Sequence, residues 1–195
     1  MRTTDQLVSL FEKGEKMDKK DQIITVALKL FAKNGFEKTS VSAICEEAEV
    51  SKGLVFHHFK NKNELLREVF NYISKIIDET DDSYLAVKEP KARLETLIEA
   101  IFTGMAVPEH RAIYQFNFNV MVQPTTRALL IDLIDERMDG LRAGVEEVFE
   151  YLGHQQPAVI SRMFVAEIDG IALNYLLNDD FPLEAVKQEF IKKYC

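Results

Sequence analysis

Between Thr39 and Lys62 the chain gathers side chains that can donate to an anion. Thr39, Ser40, Ser42 and Ser51 supply hydroxyls, and Lys52, Lys60 and Lys62 supply ammonium groups. His57 adds an imidazole, and Gly53 adds a place where another backbone can come close. Leu54 and Phe56 interleave with them. Hydroxyls, ammonium groups and helix-start N–H groups hold phosphate oxygens, and the same donors read base edges in a groove. The chemistry implied is recognition of a phosphate backbone, with Ser51 to Lys60 offered to bases.

The elements that must position these groups are short helices. Val41, Ile44, Cys45 and Ala48 recur at three- and four-residue spacing, which predicts a helix over Val41–Ala48. Glu49 and Val50 form the turn, and a second helix starts after Ser51 and runs through His58. Asn61 followed by Glu64 reads as a capping box opening a third helix, which puts Lys62 in a first turn where backbone N–H groups point outward. A short buried helix, a tight turn and a short helix with a polar, basic face make a helix-turn-helix.

The residues Ile23, Ala27, Leu30, Phe31, Gly35, Phe36, Thr39, Ile44, Ala48, Val50, Ser51, Gly53, Phe56, Phe59, Asn61, Lys62, Glu64 and Leu65 resemble, in order and spacing, the TetR family of transcriptional regulators. The rest of the chain matches that family in length and helical character alone. The resemblance implies a homodimeric regulator, most often a repressor of a palindromic DNA operator, released by a small-molecule effector. Two positions depart from the family pattern. Glu49 stands where the family often has glycine, so a left-handed conformation there costs on the order of 1 kcal/mol. Phe56 and His57 stand where tyrosine is usual, and Phe56 has no hydroxyl for a phosphate.

The formal net charge of −8 divides unevenly: residues 16–67 carry ten Lys/Arg against seven Asp/Glu, and residues 68–195 carry twelve against twenty-two. An acidic remainder either orients the approach to DNA or is ordinary solvated surface. Of the chain's 195 residues, 47% are hydrophobic, enough for a substantial core. No apolar run is long enough to span a membrane and no signal-peptide core is present, which implies a soluble, cytoplasmic protein. Cys45 and Cys195 are no disulfide framework; Cys45 reads as a small core residue, with a redox sensor as the alternative.

The predicted architecture is all-α. Residues 1–18 form an extension with a possible short helix, residues 19–65 a helix-turn-helix DNA-binding domain, and residues 66–195 an effector-binding and dimerisation domain. Helices are predicted over about 19–34 and 62–78, then 90–106, 109–122, 125–152, 156–178 and 182–193, with Pro90, Pro108, Pro124, Pro157 and Pro182 at starts or breaks.

Large apolar residues crowd Ile98 to Met121, and amides alternate with aromatics in Gln115-Phe116-Asn117-Phe118-Asn119. Two readings fit: an ordinary core, or a cavity for an apolar or amphipathic effector. The second would use Phe102, Met105, His110, Tyr114, Asn117, Phe118, Met121, Met138, Asp169 and Asn174. The segment 159–176 is apolar almost all round, which predicts a largely buried helix. It either packs within the chain or, as the resemblance implies, joins a dimer through Met163, Phe164, Ile168, Ile171, Tyr175 and Phe190.

Other chemistry finds little support. His57 and His58 are adjacent on a helix and point about 100° apart, so one ion cannot take both, and no Cys/His cluster accompanies them. No metal or cofactor is expected. No phosphate-binding glycine loop, nucleophile elbow or spaced carboxylate pair suggests an enzyme.

Overall fold

The computed structural model describes residues 18–195, with side chains described outside 78–85. The possible short helix of the N-terminal extension lies outside the described residues. Nine α-helices follow in order: α1 (Lys19–Asn34), α2 (Val41–Glu47), α3 (Lys52–His58), α4 (Lys62–Leu85), α5 (Pro90–Ala106), α6 (Arg111–Val122), α7 (Pro124–Tyr151), α8 (Pro157–Leu177) and α9 (Leu183–Tyr194), with a 3-10 turn at Pro108–His110. Four of the five prolines occupy the first position of their helix or turn, where a missing N–H removes no intrahelical bond. Pro182 stands just before α9. No described helix is long and apolar enough to cross a membrane.

The chain divides into two compact units. The first takes the described residues to Ile76 together with Ala112–Leu133; the second takes Ile77–Arg111 and Ile134–Cys195. Most of α6 and the start of α7 belong to the same unit as the helix-turn-helix.

In the first unit, α1 buries Ile23, Ile24, Ala27, Leu28, Phe31 and Ala32, one helical face. Gly35 ends it at φ +80°, its N–H donating to the Phe31 carbonyl at 2.9 Å. Against this face lie Ile44 and Ala48 around α2, Val55 of α3, Phe59, and Leu65, Leu66, Val69 and Ile73 of α4, all buried. Fully burying a side chain such as Phe31 or Phe59 contributes about 1.5–3 kcal/mol, which fixes the short helices that could not stand alone. The Gln22 amide donates to the Ala48 carbonyl at 2.9 Å, closing the end of α2 onto α1. From the other segment, Ile113, Phe116 and Val120 of α6 and Leu130 of α7 are buried.

The second unit is built on aromatic rings. Phe164 lies 5.2 Å from Phe190 and 5.0 Å from Tyr194, centroid to centroid, and Phe149 and Phe102 extend the cluster. Leu94, Leu97, Ile98, Val145 and Val148 close around them. At the surface the Lys187 ammonium bridges Glu99 and Glu184, both at 2.9 Å, fastening α9 to α5.

Helix α8 corrects one expectation. It buries Ser161, Phe164 and Val165, while Val159, Met163 and Leu177 are 49%, 50% and 71% exposed. It is apolar almost all round, and among the described residues only part of its surface is covered.

Candidate nucleic-acid interface

Ser40 and Ser51 begin the two helices of the motif. Each side-chain oxygen accepts from the backbone N–H three residues on, at 3.1 Å from Ala43 and 3.2 Å from Leu54. Both hydroxyls keep their protons available for an outside acceptor, because the cap uses only a lone pair. Between the helices Glu49 adopts φ +50°, the left-handed turn conformation that its place before Val50 requires. Asn61 caps α4 by accepting from Glu64 N–H at 3.0 Å; Glu64 reaches back to the Lys60 N–H at 2.7 Å, one residue earlier than a capping box would have it.

On α3, Lys52, Gly53, Phe56 and His57 are exposed, Leu54 is half-buried and Val55 points inward. A Cβ built on Gly53 would meet only the Ser51 hydroxyl, at 3.7 Å, an ordinary contact. Among the described residues nothing requires glycine there. Ser42 and Lys60 also lie at the surface.

Two predicted contacts look different in the folded chain. Thr39 is 2% exposed, and its hydroxyl faces the Gly35 carbonyl at 2.8 Å and the Leu30 carbonyl at 3.2 Å. It closes the end of α1 and offers no hydroxyl to DNA, which removes it from the contact set. Lys62 is half-buried: its ammonium sits 4.2 Å from the Phe36 ring centre and 3.4 Å from the Glu37 carbonyl. Loss of water pushes its pKa down, and the Glu37 charge opposes that shift.

Three polar ties join this head to α6 and α7 within the first unit. The Asn119 amide donates to the Ala32 carbonyl at 2.7 Å. The Thr125 hydroxyl donates to the Glu37 carboxylate at 3.0 Å. Arg67 grips both Asp132 oxygens, at 2.8 and 2.6 Å, and donates to the Leu129 carbonyl at 2.9 Å. The guanidinium beside Asp132 holds its carboxyl down to about 2. Sequence reading gave Asn119 no such role and passed over Arg67, Thr125 and Asp132. Their partners are 62 to 88 residues away, beyond any local pattern.

The residues expected around an effector fall in both units. Tyr114, Asn117, Phe118 and Met121 are in the first; Phe102, Met105, His110, Met138, Asp169 and Asn174 are in the second. Phe102 and Met105 are buried, whereas Phe118 and Met121 are 39% and 40% exposed. Asn174 is exposed and returns its amide to the Gly170 carbonyl of its own helix. Asp169 is exposed on α8, yet the bulk of chain around it raises its carboxyl above the ordinary value, with Arg137 opposing. His110 is the polar exception: it is buried, its Nδ1 lies 2.9 Å from the Gly104 carbonyl, and its Nε2 has no partner. A carbonyl only accepts, so Nδ1 carries the proton and Nε2 is a bare acceptor. Burial lowers the imidazole pKa, which keeps that acceptor unprotonated.

Of the expected dimer residues, Met163 is exposed and Ile168, Ile171 and Tyr175 are half-buried. Phe164 is fully buried in its own chain's core, so it has no surface to give a partner. Phe190 is 4% exposed and is among the residues lining an open groove between α8 and α9. Ile171, Ala185 and Val186 line that groove, with Glu167, Glu189 and Lys193 at its edge.

Residues 23–69 match the sequence family described as bacterial regulatory proteins, tetR family. Similar proteins include the HTH-type transcriptional regulator YerO of Bacillus subtilis, 32% identical over 54% of this chain. The chain spans only 43% of YerO's length. The HTH-type transcriptional regulator AcrR of Shigella flexneri is 25% identical over 92% of this chain and 88% of its own. Among solved structures, the fatty acid degradation regulator FadR from Bacillus halodurans superposes with a TM-score of 0.73, covering 92% of this chain and 95% of its own at 20% identity. That likeness concerns the fold.

Proposed function

We propose that this chain, whose residues 23–69 match the tetR family of bacterial regulatory proteins, is a ligand-responsive repressor that binds a palindromic operator as a homodimer. It is a transcriptional regulator and not an enzyme. The observation that carries the reading is the surface of α3. Gly53 is open to approach, and Ser51, Lys52, His57 and Lys60 stand exposed around it. Such a surface fits a major groove, with Ser40, Ser42 and Lys62 on flanking phosphates.

One reading helix makes too few contacts for a specific site, so two related by symmetry are needed. The uncovered apolar side of α8 and the groove beside it support self-association there. A Cβ built on Gly170 would have open space around it, which leaves room for a partner helix. Met163, Ile168, Ile171 and Tyr175 are the residues that would meet the partner.

The effector is a small apolar or amphipathic molecule. His110 Nε2 would supply an acceptor for a hydrogen-bond donor of the effector, and the soft side chains of Phe102, Met105 and Met138, the first two closed in the core, would have to part to admit it. Release follows if the effector prefers the conformation whose reading heads are wrongly spaced, with α4 as the lever; a coupling of about 1–3 kcal/mol is typical.

The test is titration of the purified protein against DNA from upstream of its own gene and against random DNA, at several salt concentrations. A saturable preference for one palindromic segment supports the reading. Gly53→Leu should abolish that preference with the melting temperature unchanged; retained operator binding would reject α3 as the groove-docking helix.

A further inference from the structure

Two side chains anchor α3 in the core of the head. Val55 on the helix and Phe59 at its end are 2% and 1% exposed. Phe56 follows Val55 by one residue, about 100° further round the helix, and is 51% exposed. Among the described residues it is the one large apolar side chain left open to water before Phe118. The exposed half of the ring adds nothing to the anchor.

Its surroundings are polar and open. Lys52 and Gly53 precede it by four and three residues, which puts both on the same side of the helix, and His57 follows it, exposed. At Gly53 no side chain stands in the way: a Cβ there would meet the Ser51 hydroxyl, at 3.7 Å. The ring is therefore reachable from the side on which Lys52 offers its ammonium.

Phe56 cannot hold the phosphate backbone, since a phosphate oxygen requires a donor and a phenyl ring has none. The base edges in a major groove are carbonyl oxygens, ring nitrogens and amino groups, with one apolar group among them, the C5-methyl of thymine. A ring set against an amino group or a carbonyl takes water from it and returns no hydrogen bond. Set against the methyl, it removes apolar surface of both partners from water without that cost. The same side chain thus favours one base and penalises the others.

We propose that Phe56 determines specificity at one position of each half-site, by packing its ring on the C5-methyl of a thymine. It adds an apolar criterion that hydrogen bonds from Lys52 and His57 do not supply. The inference rests on α3 being the helix that enters the groove, and the test separates the two.

The full-length protein first selects its site from a pool of random duplexes. The selected palindrome is resynthesised with one symmetry-related pair of thymines at a time replaced by uracil, which removes the methyl groups and keeps every hydrogen-bonding atom. At one pair the loss should be about fourfold per half-site, on the order of tenfold for the palindrome. Phe56→Ala should bind the thymine site more weakly than wild type does, and bind the thymine and uracil versions within about twofold of each other. Because the ring is half exposed, its melting temperature should stay within a few degrees of wild type. Phe56→Leu, apolar but smaller, should keep part of the preference. A wild type that tolerates uracil at every position overturns the proposal and leaves α3 as the reading helix, with no variant needed. A uracil penalty equally large in Phe56→Ala gives the methyl to another side chain and also overturns it. A wild type that selects no sequence removes the groove-docking reading, and this inference with it.

Discussion

The Lys62 ammonium stands 4.2 Å from the centre of the Phe36 ring, with the Glu37 carbonyl as its other contact. A long side chain is thereby held near one place before DNA arrives, and less rotamer freedom remains to be lost on binding. Lys62→Ala should weaken binding similarly on all sequences and lower the slope of log affinity against log salt by about one unit. An unchanged slope would take Lys62 out of the phosphate set.

Thr39 lies in the same stretch but does different work. Thr39→Val keeps its shape and removes the hydroxyl that faces the Leu30 and Gly35 carbonyls. Stability should fall by about 1–2 kcal/mol, read from denaturant midpoints. Affinity for DNA, measured where the variant remains folded, should not change. A selective loss of affinity would return Thr39 to the interface.

At Glu49 the backbone takes φ +50° with a side chain that disfavours it. Glu49→Gly should raise stability by about 1 kcal/mol, a gain of roughly 2–4 °C in melting temperature for a chain of this size. It also removes a negative charge beside the reading helix, so non-specific DNA binding should tighten slightly at low salt. A lower melting temperature would mean that the turn is not strained.

These three positions show how far the sequence could be read. The Ile44, Cys45 and Ala48 spacing, the Ser51 cap and the glycine stop at Gly35 are local signals, and each forms the element it implies. The strain at Glu49 was legible because the turn demands one backbone conformation. Thr39 was misread because a hydroxyl beside a helix start can face either solvent or its own chain, and only packing decides. Phe164 was misplaced for a related reason. Periodicity says that α8 is apolar, but it cannot say which of its sides the chain itself covers. The residues of the three polar ties lay outside any pattern, since nothing near Arg67 announces Asp132.

The Arg67–Asp132 pair gives a pH signature. The folded carboxyl titrates near 2, below the ordinary value of 3.8 for Asp. A lowered folded pKa means a stabilising contribution that is complete above about pH 4 and is lost as pH falls toward 2. Asp132→Asn should therefore flatten the stability profile between about pH 4 and pH 2 and leave its slope above pH 5 unchanged. Equal slopes for both proteins below pH 4 would mean that the pair does not persist in solution.

Neighbouring residues on α8 should separate association from folding. Met163 is exposed, so Met163→Glu should turn a dimer into monomers at micromolar concentration while the isolated chain melts as before. Phe164 is fully enclosed, so Phe164→Ala should cost about 3–5 kcal/mol of stability. Sedimentation and calorimetry on both variants would distinguish these outcomes. A Met163→Glu protein that stays dimeric would move the interface elsewhere.

The three polar ties also have a history in time. A ribosome makes Ala32, Glu37 and Arg67 well before their partners, which follow 87, 88 and 65 residues later. At about 5–20 residues per second that gap lasts several seconds. The residues of the reading head are thus all made while the partners of Ala32, Glu37 and Arg67 are still to come.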